Sequence, residues 1–90
     1  MIATIAQVTD FDQFLGTFST IGVEKRKEHG CKGAYLFRDP DDLNRVWVVF
    51  DWKIEDYQRF LSDPEIPAIA RELALAEPPV KIDPIAQYDA

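Results

Sequence analysis

The run Val46–Trp52 constrains the fold most, because nearly every side chain in it is apolar. It follows Asp39–Asn44, a polar segment of the kind that forms turns. A strand with one face in water alternates between apolar and polar residues, and this run does not. Its side chains divide into two sets by alternation: Val46, Val48, Phe50 and Trp52, and Trp47, Val49 and Asp51. Both faces of this strand therefore need cover.

The rest of the chain predicts strands alternating with helical segments. Asp10 and Gln13 have the spacing of a capping box that starts a helix, and Gly30 is suited to end it. A second helical segment starts at Glu55 and restarts at Asp63-Pro64. The four predicted strands are Ile2–Thr9, Cys31–Arg38, Arg45–Lys53 and Val80–Gln87. The order β-α-β-β-α-β predicts an α+β, ferredoxin-like fold with a four-stranded antiparallel sheet, as a single domain over residues 1–90.

This topology places all helices on one face of the sheet, because its crossover connections are right-handed. The other face, which includes Trp47 and Val49, is then left bare. Exposing such a patch would forfeit several kcal/mol at about 25 cal/mol per Å². A second copy of the chain is the commonest cover for a self-complementary apolar face. We therefore expect a homodimer formed through the sheet face.

Charge and composition limit the possible partners. The net charge is −6, which argues against nucleic acid as a partner. The basic run Lys25-Arg26-Lys27 lies between two glutamates and is typical of a solvated helix end. One cysteine excludes an intrachain disulfide, and no stretch is apolar enough for a membrane span. We expect a cytoplasmic protein without a membrane partner.

The chain resembles the dimeric α/β-barrel superfamily, in particular its antibiotic biosynthesis monooxygenase-like members. Four segments carry the resemblance: Glu28–Cys31, Phe37–Asp42, Val46–Trp52 and Phe60–Pro64. The resemblance implies that two sheets pack face to face into a barrel, with a small pocket in each protomer between sheet and helices. The activities it implies range from cofactor-independent oxidation of aromatic polyketides and quinols to haem degradation, cyclisation and isomerisation.

Two residues are candidates for catalysis. Trp52 matches a tryptophan in the polyketide-oxidising members, and its indole could stack on a planar ligand, although a packing role is the alternative. The position matching their pocket asparagine holds Val48 here, a departure from the pattern. His29 is the only histidine and could transfer a proton near neutral pH, although its place before Gly30 also suits a helix C-cap. The side chains expected to contact a ligand are Tyr35, Val48, Phe50, Tyr57 and Phe60.

No spacing of histidine, cysteine and carboxylates predicts a metal site, so we expect neither metal, haem nor another cofactor. Two functions remain open. One is a cofactor-independent, monooxygenase-like or cyclase-like enzyme acting on a small aromatic or polyketide-type substrate. The other is a non-catalytic dimeric module that binds a small apolar ligand or serves as an accessory protein.

Overall fold

The computed structural model describes residues 1–90 as a four-stranded antiparallel sheet with four helices on one face. The elements in chain order are β1 Ile2–Gln7, α1 Phe11–Phe18, α2 Ile21–Glu28, β2 Ala34–Asp39, β3 Asp42–Phe50, α3 Ile54–Leu61, α4 Ile66–Glu72 and β4 Val80–Ile82. The strands lie in the order β2-β3-β1-β4. The predicted α+β, ferredoxin-like class is confirmed. None of the helices has the length and apolar character needed to span a bilayer.

The strand β3 lies in the middle of the sheet, between β1 and β2. Val48 stands opposite Thr4 of β1 and Leu36 of β2, so these side chains share one face. The set Val46, Val48, Phe50 and Trp52 is buried beneath the helices. Trp47, on the other face, is 37% exposed. The two-faced reading of this run is therefore confirmed, and the helices cover only one of its faces.

The uncovered face is apolar across all four strands. Trp47 stands opposite Ile5 on β1 and Phe37 on β2, and Val80 of β4 is the neighbour of Ile5. Phe37 and Tyr35 are each 57% exposed. A contiguous row of this kind is unusual on a monomer surface.

The first helical segment is divided, which the sequence did not predict. Asp10 accepts a hydrogen bond from the Gln13 N–H, as expected of an N-cap. The hydroxyls of Ser19 and Thr20 donate to the carbonyls of Leu15 and Gly16, at 2.7 Å each. Leu15 still accepts the Ser19 backbone N–H at 3.0 Å, so these hydroxyls add bonds at the end of α1. The break lies at Thr20, whose φ of −115° and ψ of −96° are not helical, and α2 begins at Ile21.

The remaining elements differ from prediction mainly in their ends. Gly30 has a φ of +85°, so it follows the last helical residues in the left-handed conformation that suits glycine. The hairpin between β2 and β3 turns at Pro40 and Asp41 alone, a tighter turn than predicted. Asp63 precedes α4 by a full turn, and its carboxylate accepts from the Glu65 N–H. β4 stops before Pro84, because proline cannot donate to the sheet.

Candidate functional site

A cavity of about 280 Å³ lies between the sheet and the helices. Eighteen residues line it, of which 13 are hydrophobic, and they come from β1, β3, all four helices and the segment between α4 and β4. The small side chains of Ala6 and Ala70 leave room for the cavity, and the larger side chains of Phe14 and Ile69 form part of its wall. An apolar cavity with few polar groups is the usual form of a small-molecule site.

Aromatic rings form much of the cavity wall. Phe14 and Phe18 on α1 stack with centroids 5.4 Å apart, and Phe18 lies 6.3 Å from Phe50. Phe50 in turn lies 6.1 Å from the ring of Tyr57 on α3. Rings in this arrangement offer faces on which a planar ligand can stack.

Few side chains bring polar groups to this wall. They are the hydroxyls of Thr4 and Tyr57 and the guanidinium of Arg26. Burial raises the pKa of the Tyr57 phenol, so it stays protonated and can donate a hydrogen bond. All three residues are buried and line the cavity, and Arg26 also lines a second depression.

Arg26 is 9% exposed and makes no ion pair with a carboxylate. Its guanidinium carbon lies 3.8 Å from the centroid of the Phe18 ring, a cation–π contact. Burial lowers the pKa of Arg26, because the charged form loses water without gaining an anion. Arg26 also lines a second, more open depression, the outer depression, together with Lys27, Lys32 and Cys31.

The glycine at position 22 makes room for this guanidinium. A Cβ added at Gly22 would lie 2.9 Å from Nη1 of Arg26 and 3.1 Å from the carbonyl oxygen of Thr17. Since Gly22 itself lines the cavity, the guanidinium end of Arg26 lies at the cavity wall. Glycine is otherwise unfavourable within a helix by about 1 kcal/mol relative to alanine. At position 22, glycine permits the Arg26 guanidinium to approach the helix backbone closely.

The neighbouring Lys25 has the opposite environment. Its Nζ lies 2.9 Å from Glu65, 3.1 Å from Asp63 and 3.1 Å from Glu28. Hydrogen bonds to these carboxylates, that to Glu65 above all, raise the pKa of Lys25 above its usual range. His29 joins the cluster, with Nε2 donating to Asp63 at 2.9 Å, since a carboxylate can only accept. The hydrogen bond from His29, with those from the Glu65 N–H and Lys25, lowers the pKa of Asp63.

The sequence-predicted ligand residues divide between two faces. Val48, Phe50, Tyr57 and Phe60 all line the cavity. Tyr35 lies on the uncovered face of the sheet, opposite Val49, and does not reach the cavity. Alternation along β2 accounts for this, because Tyr35 and Leu36 point to opposite faces and only Leu36 faces the helices.

Neither predicted catalytic residue lines the cavity. Trp52 is 5% exposed and packs behind the wall, 5.1 Å from both Phe50 and Phe60 and 5.7 Å from Tyr57. Its indole N–H is buried without a hydrogen-bond partner. The His29 ring meets the edge of Phe60 at 5.9 Å and is turned to the Asp63 cluster, in an open polar cleft. Phe60 thus separates both side chains from the cavity.

Arg26 is the site residue that the sequence analysis missed. The basic run was predicted to be solvated, and that prediction is wrong for Lys25 and Arg26, which are 7% and 9% exposed. Lys25 is buried where Asp63 and Glu65, from the segment after α3, pair with it. The available signal for Arg26 was Gly22, one helical turn earlier, where a helix surface gains nothing from a glycine.

Two surface depressions complete the description. One is the polar cleft beside His29 and Asp63, and the other lies on the uncovered face of the sheet between Trp47 and Phe37. No group of three or more histidine, cysteine or carboxylate side chains is positioned to hold a metal ion.

Comparison with solved structures identifies proteins with this fold. SnoaB, a cofactor-independent oxygenase from Streptomyces nogalater, is 16% identical and superposes with a TM-score of 0.67, over 99% of this chain and 94% of its own. A provisionally assigned antibiotic biosynthesis monooxygenase from Chloroflexus aurantiacus J-10-fl is 20% identical, with a TM-score of 0.59 over 97% of this chain and 93% of its own. No protein-family model matches the sequence, and no curated protein is significantly similar to it. The resemblance to antibiotic biosynthesis monooxygenase-like proteins is therefore confirmed at the level of fold.

Proposed function

We propose that the chain is a cofactor-independent, monooxygenase-like enzyme that oxidises a small aromatic or polyketide-type substrate in the cavity between sheet and helices. The observation that carries the proposal is this apolar, aromatic-walled cavity, in a fold shared with a cofactor-independent oxygenase. The cavity volume of about 280 Å³ suits a compact ring system.

The chemistry proposed draws on the substrate's own acidity. An activated CH2 group next to a phenol or ketone loses a proton to water, and the resulting carbanion is oxidised by O2. The proton returns to the reduced oxygen atom that leaves as water. Overall, CH2 and O2 become C=O and H2O, so the carbon loses four electrons and dioxygen gains them. The cavity supplies orientation through the Phe18 and Phe50 rings and a hydrogen bond from Tyr57.

Within this proposal, His29 and Trp52 act as positioning residues. Both contact Phe60, which lines the cavity, and neither reaches it directly. Val48, Phe50, Tyr57 and Phe60 are the ligand-contacting residues carried forward from the sequence, and Tyr35 belongs to the opposite face.

The proposed assembly is a homodimer of single-domain protomers, residues 1–90, through the uncovered face of the sheet. Tyr35, Phe37, Trp47 and Val80 supply its exposed apolar surface. We propose a cytoplasmic location, in line with the single cysteine, which is a free thiol. Sedimentation velocity tests the assembly: Trp47→Glu should convert a dimer to monomer, whereas Ile21→Glu on the helix layer should not. A monomeric wild-type chain at micromolar concentration would refute this part.

Oxygen uptake with a panel of anthrones and quinols tests the activity. With an accepted anthrone, one O2 should be consumed per substrate, one isotopically labelled oxygen should enter the product, and no hydrogen peroxide should accumulate. Ala70→Phe fills the cavity and should abolish turnover, while Ala68→Phe, exposed on the same helix, should retain it. Uptake that persists in the Ala70→Phe protein would place the reaction elsewhere.

The alternative is a non-catalytic dimeric module that binds a small ligand or serves as an accessory protein. The observation in its favour is that the wall offers no side chain poised as a base, since Tyr57 and Arg26 are proton donors. Saturable binding of these ring compounds without oxygen uptake would select this module over the enzyme.

A further inference from the structure

The cavity wall contains a buried positive charge for which the protein supplies no anion. Arg26 is more than nine-tenths buried, and its guanidinium carbon rests over the face of Phe18, 3.8 Å from the ring centroid. Burying an arginine in this way costs free energy, which a cation–π contact offsets only in part. A buried charge without an anion is explained when a ligand supplies the missing anion.

Arg26 lines the cavity on one side and the outer depression on the other. Nη1 of Arg26 lies 2.9 Å from the point where a Cβ of residue 22 would stand, and Gly22 forms part of the cavity wall. Phe18, which carries the guanidinium on its face, also lines the cavity. An aromatic ligand that stacks among the rings would therefore lie close to the N–H groups of the Arg26 guanidinium.

We propose that the cavity binds its ligand as an oxyanion, with a carboxylate, enolate or phenolate oxygen on the guanidinium of Arg26 and the ring system among Phe14, Phe18 and Phe50. This names the ligand class of the proposed active site and rests on the cavity being that site. The guanidinium donates two N–H bonds in one plane, which matches a carboxylate or an enolate flanked by a second oxygen. In a cavity with little water, such a pairing is stronger than on the surface.

For an oxidative substrate, the same contact would favour the reactive state. Losing a proton turns a neutral phenol or enol into an anion, and a fixed positive charge beside it stabilises the anion more than the neutral form. Arg26 thereby supplies an electrostatic contribution that the cavity's hydroxyl groups alone do not provide.

Equilibrium binding of a matched pair of probes tests the proposal independently of turnover. 2-Naphthoate and 2-naphthamide share size and shape and differ in charge, and their binding is measured by calorimetry. The wild-type protein should prefer the naphthoate by tenfold or more. Arg26→Met, which keeps the length of the side chain, should remove the preference, while Arg26→Lys should keep part of it.

Two controls locate the anion. Lys27→Met removes an exposed charge next in sequence and Lys32→Met one from the outer depression, and neither should alter the preference. Ala70→Phe should reduce binding of both probes. Equal affinity of the two probes for the wild type, or naphthoate binding that depends on Lys32 and ignores Ala70→Phe, would overturn the proposal.

A second variant separates position from charge. Gly22→Ala keeps Arg26 but places a Cβ against its Nη1, so the preference for naphthoate should fall while the protein stays folded. Selective naphthoate binding without oxygen uptake on any anthrone or quinol would support the anion site and remove the oxygenase. Failure of the wild type to bind either probe would overturn the anion site as proposed.

Discussion

Lys25 and Arg26 are adjacent, both buried and both on α2, yet they occupy opposite electrostatic environments. Three carboxylates surround Lys25, from Glu28, Asp63 and Glu65, and they raise its pKa. None pairs with Arg26, and burial lowers its pKa. A helix turns by about 100° per residue, so neighbours face different surroundings. Lys25 links α2 to the segment after α3 through its ion pairs, and Arg26 lies at the cavity wall without an ion pair.

The contrast separates a cation that is paired with carboxylates from a cation for which we propose a binding role. The carboxylate of Asp63 ties α2 to the turn between α3 and α4 through Lys25 and His29. Removing it leaves the His29 Nε2–H without its acceptor and Lys25 with only Glu28 and Glu65. Removing the Arg26 charge leaves nothing unpaired, because the protein supplies no anion to it.

The largest loss of stability is therefore expected from Asp63→Ala. This substitution deprives Lys25 and His29 of their shared acceptor and also removes the bond from the Glu65 N–H. The thermal midpoint and the urea midpoint should both fall clearly. Glu28→Gln is the matched control, because Glu28 is exposed and Lys25 keeps its other two partners, so its effect should be small. Equal effects of the two substitutions would show that the cluster is not organised around Asp63.

Lowering the pH should weaken the same cluster, with a smaller effect on stability than Asp63→Ala has. The pKa of Asp63 is lowered in the folded state, so its contribution is fully present above the ordinary aspartate pKa of about 3.9. It is lost as pH falls from there through the folded-state pKa. Urea unfolding between pH 6 and about pH 2.5 should show a steeper decline for wild type than for Asp63→Ala. If the stability of the two proteins fell in parallel with pH, the lowered pKa of Asp63 would be contradicted.

The smallest change in stability is expected from Arg26→Met. Removing a buried charge without a counterion relieves its desolvation, and losing the contact with Phe18 acts in the other direction. We expect the free energy of unfolding to stay within about 1 kcal/mol of wild type, while naphthoate selectivity is lost. A substantial loss of stability would mean that Arg26 is a structural residue after all.

The sequence predicted the fold well because its strongest patterns are local. Alternation in Val46–Trp52 determined which side chains face the helices, and Asp10 and Gly30 marked helix ends correctly. The same alternation rule, applied to β2, would have placed Tyr35 on the uncovered face. The division of the first helical segment lies at Thr20, whose non-helical backbone conformation residue preferences alone do not reveal.

The candidate site was less accessible from sequence, for a physical reason. Whether a basic residue is buried depends on what distant segments bring to it, as Asp63 does for Lys25. His29 and Trp52 attracted attention through their chemistry, but packing places Phe60 between them and the cavity. Arg26 had no distinguishing feature beyond the glycine one turn before it.

The strand order also has a kinetic consequence. β2 and β3 are joined by a tight turn and can pair early, whereas β1 reaches β3 and β4 only across helical segments. Pairing of distant segments loses loop-closure entropy before any stabilising contacts form. We therefore expect docking of β1 to limit the folding rate. Both the cavity floor and the uncovered face include β1 side chains. The proposed ligand site and the proposed dimer face are therefore both completed by the same late event.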